Sequence, residues 1–215
     1  MILKYYGHSF FTLTLESGAV IAFDPYGSFY EYPRRSVRAD LCLISHHHHD
    51  HDGLSSLQPG AEVIDAPGAR ELACGASILG VPTFHDGQGG AQRGKNTFFI
   101  VEAEGLRVGH AGDLGHLPTH AQAAQIGRLD LLLLPVGGYY TIDAAQAAQV
   151  RKLLAPTVTV PMHYRTEYDP EMPIAPLEDF LRLVGARDTQ MPLLRAAKAD
   201  IGQHPAIVTL SVPGA

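Results

Sequence analysis

The stretch SHHHHDH, Ser45 to His51, packs five imidazoles and a carboxylate into seven residues. It follows the apolar run DLCLIS. If that run continues as a strand into the histidines, alternate side chains share one side. His46 and His48 then point one way with Asp50 at the same parity, while His47 and His49 act as spacers. His51 follows where the chain turns toward GLSSL and can swing back to the same cavity. Imidazole nitrogens with a carboxylate suit zinc or a similar borderline ion. Four donors from six residues surround one ion poorly, whereas two adjacent ions, each completed from elsewhere, fit them better. The plain alternative is a surface patch of histidines with incidental metal affinity.

Later segments offer the missing donors: VPTFHDG supplies His85, VGHAGDLG supplies Asp113 and VPMHYRT supplies His163. Each follows a predicted strand or apolar segment, as a site assembled from strand ends requires. Upstream, IAFDP offers Asp24. This ordered set resembles the metallo-β-lactamase superfamily, whose leading motif is His-x-His-x-Asp-His. Its later positions are a His, an Asp inside a Gly-Asp pair, and a final His. The likeness runs from about Gly7 to Thr166 and is far more specific as a set than in any piece. YYGHSFF, FDP, HAGDLG, PVGGYYTID and PMHYRT look like the branch of small single-domain hydrolases. That branch includes ascorbate-phosphate lactonases and, more distantly, N-acyl-phosphatidylethanolamine phospholipases D. One departure is Leu114, which follows Gly-Asp where Thr or Ser is common.

The resemblance implies an α/β fold, the four-layer αββα sandwich of that superfamily. It also implies that His46, His48 and His85 hold one divalent ion, that Asp50, His51 and His163 hold the other, and that Asp113 bridges them. Zinc is the first expectation for the pair, manganese or iron the alternatives. Asp24 would orient a ligand imidazole, although an Asp capping the turn before Pro25 is an equal reading. Two divalent ions, two aspartates and one bridging hydroxide leave a resting charge of about +1, which favours an anionic substrate group. The implied reaction is hydrolysis of a small ester, lactone or phosphodiester by that hydroxide, with Asp50 and Asp113 as the catalytic carboxylates and Asp50 orienting the nucleophile. The alternatives are an iron-dependent redox enzyme on the same scaffold, of the persulfide dioxygenase kind, and a non-catalytic metal-binding protein. His8 and His110 lie beside the motifs, where a satisfied core or turn histidine is the commoner role. Tyr139, Tyr140 and Thr141 could wall the cavity, and a tyrosine there or Tyr164 could bind an oxyanion or donate a proton to the leaving group, with ordinary packing at least as expected for each.

The elements that must position these residues read clearly. ILKYYG, SFFTLTLE, AVIAFDP, DLCLIS, AEVIDAP, NTFFIVEAE, LRVGHAG, LDLLLLPV, TVTVPMHY and PAIVTLSV are predicted strands. NTFFIVEAE and LRVGHAG form a hairpin at Glu104-Gly105. THAQAAQIGRL is a helix capped by Thr119, IDAAQAAQVRKLL one capped by Asp143 with Gln146 completing a capping box, and APLEDFLRLVGA a third ending near Gly185. Residues 26–38 and 86–95 are the predicted loops.

With 215 residues, 46% hydrophobic and 18% charged, the chain is expected to form one globular domain over 1–215. A formal charge of −6 and a single basic cluster, Arg34, Arg35 and Arg38, argue against nucleic acid as a partner. A small-molecule substrate is the expected partner, and self-association is common in this branch. Two cysteines exclude a disulfide framework, and Cys42 reads as a buried small hydrophobe. The longest apolar run, LDLLLLPVGG, is far short of the roughly 20 residues of a membrane span. No secretory leader is evident, so a cytoplasmic location is expected.

Overall fold

The computed structural model describes residues 1–28, 31–33 and 35–213. Arg34 of the basic cluster and part of the 26–38 loop lie outside them. Among the described residues, twelve strands form two six-stranded sheets. The first holds, in chain order, β1 (Ile2–Gly7), β2 (Phe10–Thr14), β3 (Val20–Phe23), β4 (Leu41–Leu43), β5 (Glu62–Ile64) and β12 (Leu194–Arg195). They lie in the order β12-β1-β2-β3-β4-β5. The second contains β6 (Gly68–Glu71), β7 (Ser77–Phe84), β8 (Lys95–Ala103), β9 (Leu106–His110), β10 (Leu131–Pro135) and β11 (Val158–Met162), ordered β11-β10-β9-β8-β7-β6.

Pairing directions explain where a site can form. β1 and β3 are both antiparallel to β2, and β4 and β5 run parallel to β3. In the second sheet β7 and β9 are both antiparallel to β8, and β10 and β11 run parallel to β9. Within each sheet, therefore, the carboxyl ends of the co-directional strands gather at one edge, where open α/β sheets place their ligands.

Alternation fixes the layers. Phe11 and Leu13 of β2, Ile21 and Phe23 of β3, and Leu41 and Leu43 of β4 join one core with Phe99, Val101, Val108 and Leu133 of the other sheet. Their neighbours Phe10, Ala22 and Cys42 face outward and pack against Tyr26, Tyr32 and Leu57. That outer cover is a folded loop rather than a long helix, so one helical layer of the expected sandwich is thin. Burial pushes the Cys42 thiol up to about 12, consistent with its role as a small hydrophobe. The helices α1 (His120–Ile126), α2 (Ala144–Leu154) and α3 (Leu177–Val184) follow β9, β10 and β11. Both expected caps form, and not only Asp143 but also Thr119 completes a capping box with the Gln three residues on. Glu104 and Gly105, both at positive φ, close the β8–β9 hairpin. No helix among the described residues is long and apolar enough to cross a membrane.

Two element expectations need correction. PAIVTLSV forms no regular strand; only isolated bridges join Ile207 to Thr159 and Leu210 to Met191. Conversely, β6 and β7 fall where the sequence predicts no strand. Gly80 and Pro82 interrupt the pattern of β7, yet Gly80 is required there, since a Cβ would sit 2.9 Å from Pro67 Cα.

Candidate metal centre

Seven candidate donors and Asp24 all follow carboxyl ends of co-directional strands. Asp24 follows β3, and His46, His48, Asp50 and His51 follow β4. His85 follows β7, Asp113 follows β9 and His163 follows β11. The histidine run is not a strand extension: β4 ends at Leu43, and the chain bends through 45–51 in a turn where the His51 and Asp52 amides donate to His48 O at 2.8 and 3.1 Å. The separation of His46 and His48 from His47 therefore arises from this turn and not from strand parity. His47 points away, to Asp52 (3.4 Å) and Asp65 (3.1 Å). His49, expected as a spacer, sits on the cavity rim.

Ligating atoms of His46, His48 and His85 lie within 4.8 Å of one another, and so do those of Asp50, His51, His163 and His8. Asp113 stands between the two groups. Its Oδ2 is 3.1 Å from His85 Nε2, 3.3 Å from His163 Nε2 and 3.9 Å from His46 Nε2, and its Oδ1 is 3.2 Å from His51 Nε2. Each group takes donors from both sheets.

His8 lies at this centre, although its sequence context favours a satisfied turn histidine. A bulge between Tyr5 and Gly7 and positive φ at Gly7 and His8 turn the β1–β2 hairpin. They bring His8 Nε2 to 3.2 Å from Asp50 Oδ2, with its ring 4.1 Å from that of His163. A side chain at Gly7 would strike the Tyr32 ring at 2.3 Å, so GHS is a structural signal as well as a chemical one.

Surrounding groups orient the donors. Asp24, fully buried and at φ 42°, accepts from Ser45 N (2.7 Å), Ser45 Oγ (2.5 Å) and His51 Nδ1 (2.9 Å). Asn96, which no sequence motif singles out, donates to Thr83 Oγ1 and Ala111 O and accepts from Asp113 N at 2.9 Å. His110 is also support: Nε2 donates to Ser9 O (3.0 Å), Nδ1 accepts from Gly112 N (3.1 Å), and the ring stacks on Phe23. Gly112 cannot carry a side chain, because a Cβ would lie 2.4 Å from Asn96 Oδ1 and 2.5 Å from Ser45 Cβ. Tyr164 packs into the core near Tyr5 and is not a cavity wall, while Tyr140 lines the cavity.

The protonation pattern suits cations at every shifted donor but His51, whose extra proton a bound ion would displace. Burial pulls His46 down to about 3 and His8 to about 4, leaving neutral imidazoles. For Asp113 burial acts upward, but His163 and His51 outweigh it and hold the carboxyl well below the ordinary range. Burial acts to lower His51, but Asp113 and Asp24 outweigh it and raise the imidazole well above its usual value. The His46 Nε2 is buried with no hydrogen-bond partner among the described residues, while His51 Nε2 is held 3.2 Å from Asp113 Oδ1. Unpaired buried polar atoms cost about 1–3 kcal/mol each, a penalty that bound cations remove. The donor set therefore fits divalent ions. Above it opens a cavity of about 350 Å³ lined by His48, His49, Asp50, His85, Arg93, Asp113, Tyr140 and Met172.

Known proteins resemble this chain over most of its length. Residues 2–163 match the model of the beta-lactamase superfamily domain. A UPF0173 metal-dependent hydrolase of Thermococcus kodakarensis is 31% identical over 85% of this chain and 92% of its own length. One from Opitutus terrae is 33% identical over 77% and 86%. Among solved structures, one from Thermotoga maritima, assigned to the Zn-dependent hydrolases of the metallo-beta-lactamase superfamily, superposes with a TM-score of 0.80 at 37% identity, covering 97% of each chain.

Proposed function

Because the chain belongs to the metallo-β-lactamase superfamily, as a metal-dependent hydrolase, we propose that it cleaves a small ester, lactone or phosphodiester at a centre of two divalent ions, zinc first among them. His46, His48 and His85 would hold one ion, Asp50, His51 and His163 the other, and Asp113 both. When bound, such ions lower the pKa of a shared water from about 16 toward 7, so hydroxide is available near neutral pH. The observation that carries this reading is Asp113, whose two oxygens lie 3.1–3.3 Å from histidines of both groups.

The protein's own groups do the rest. Asp24 turns His51 so that Nε2 faces the centre. Burial acts to raise Asp50, but the hydrogen bond from His8 and the charge of His51 prevail, so its carboxyl stays ionised, as an ion ligand that orients the nucleophile must be. His8 fixes the orientation of that oxygen.

The test is metal analysis with an activity screen across lactones, thioesters, phosphodiesters and phosphomonoesters. Asp113→Ala and His48→Ala are expected to lose metal and hydrolysis together. Two ions retained in both variants would overturn the ligand assignment, and oxygen uptake with no hydrolysis would overturn the reaction.

A further inference from the structure

Among the described residues, Arg93 is the one arginine or lysine lining the cavity that opens over the candidate metal centre. Among the described residues its guanidinium meets no carboxylate and instead lies over the Tyr140 ring, 5.6 Å from Cζ to the centroid. In a chain of net charge −6 that is an unusual position for a cation. Several surface arginines elsewhere in the fold are paired, as Arg38 is with Asp40, Arg107 with Glu102 and Arg182 with Asp179.

The backbone beneath Arg93 is anchored. Asp86 Oδ1 accepts from Gln88 N (2.8 Å) and Gly90 N (2.9 Å), and Oδ2 from Gln92 N (2.9 Å) and Arg93 N (2.8 Å). His85 N donates to Gly94 O and Gly94 N to Gly90 O, closing the loop on itself. Close approach seals it from behind, since a Cβ at Gly115 would lie 2.3 Å from Asp86 N. The loop that delivers His85 thus also delivers Arg93, at a set height above it. Tyr140 comes from the other wall, between β10 and α2, and its ring lies under the guanidinium at cation–π distance. A guanidinium held over an aromatic ring, with no carboxylate partner among the described residues, suits a carboxylate or a phosphate, which accept two parallel N–H bonds.

We propose that Arg93, backed by Tyr140, is a recognition subsite for an oxyanion group, carboxylate or phosphate, that the substrate carries beside the bond to be cut. The inference rests on the hydrolase reading for the scissile bond but not for the anion contact. Specificity then comes from the loop that Asp86 organises, whose length and anchoring set the distance between the anion and the reacting atom.

The test uses metal-loaded protein and calorimetry with matched probes, benzoate against benzamide and phenylphosphonate against its diethyl ester. It is paired with kcat/KM on a neutral ester and its carboxylate-bearing counterpart. Wild type is expected to favour the anionic member of each pair. Arg93→Met should weaken the anionic probes by about ten- to a hundredfold, and Arg93→Lys by less. The ratio of kcat/KM for the anionic over the neutral ester should fall with them, while Arg182→Met, a charge removal on α3, keeps the wild-type ratio. A stronger hold on benzoate assigns a carboxylate, and a stronger hold on phenylphosphonate a phosphate. Anionic probes bound equally by wild type and Arg93→Met would overturn the proposal. A protein that binds these anions through Arg93 yet cuts none of the esters, lactones or phosphodiesters would sink the hydrolase reading and leave the subsite standing.

Discussion

Asp24 accepts a hydrogen bond from Nδ1 of His51 at 2.9 Å, which decides that His51 presents Nε2 to Asp113 at 3.2 Å. The same carboxylate takes both the amide and the hydroxyl of Ser45, so one buried group sets the start of the histidine run and the tautomer at its end. Asp24→Ala should weaken binding of the ion assigned to Asp50, His51 and His163 by about 10–100-fold. Metal titration of chelator-stripped protein reads this directly, and an affinity equal to wild type would remove Asp24 from that role.

The two halves of the imidazole run should separate cleanly. His47→Ala removes a side chain bound to Asp52 and Asp65 and should leave metal content at the wild-type level. His48→Ala should lose an ion. Metal analysis of the purified pair distinguishes them, and equal losses would mean that the turn itself, not its inward donors, governs binding.

Gly112→Ala places a methyl group 2.4 Å from Asn96 Oδ1 at a φ of +54°. Backbone strain and overpacking together predict a loss of about 1–3 kcal/mol, read from urea melts. Asp113 would shift with its amide, so metal affinity should fall too. A fully stable, metal-replete variant would show that the Asn96 contact is dispensable.

Asp86→Ala should loosen the loop without unfolding the protein. Its carboxyl is held well below the ordinary range by the Arg93, Gln88, Gln92 and Gly90 amides, against the opposing effect of burial. Hydrogen exchange at those four amides should accelerate while β8 stays protected. Unchanged exchange would show that the loop is anchored by other means.

His110 gives the fold a defined acid sensitivity. Burial lowers its pKa against the opposing pull of Asp24, and its two hydrogen bonds require the neutral ring. The unfolded chain takes up a proton below about 6.5 that the folded protein does not, so stability is full above that pH and falls as pH drops toward the folded value. One such group contributes a slope of up to about 1.4 kcal/mol per pH unit. His110→Gln, which can still donate and accept, should reduce the fall in urea-melt stability below pH of about 6.5. An unchanged slope would assign the sensitivity elsewhere.

The candidate centre is largely legible in the sequence because its donors are rare residue types at strand ends, where apolar runs give way to polar ones. His85, Asp113 and His163 each stand just past such a run. What stays hidden depends on long-range packing. Asn96 sits inside a strand pattern and gives no local sign that its amide holds Asp113. His8 looks like any turn histidine until the bulge in β1 aims it at Asp50. Arg93 lies in a Gly-rich loop whose path is set by Asp86, and no periodicity reports a carboxylate that binds amides. The strand β7 escapes sequence reading because Gly80 and Pro82 break the alternation that a strand normally shows.

Each donor group draws on both sheets: His46 and His48 from beside β4 with His85 from beside β7, and Asp50 and His51 with His163 from beside β11. The seam between the sheets is otherwise closed mainly by apolar side chains, which slide more readily than they separate. Ions seated there would act as rivets through a laminate, resisting shear between the two halves. Removing them should then cost the whole sandwich its cooperativity and not merely the edge where they sit.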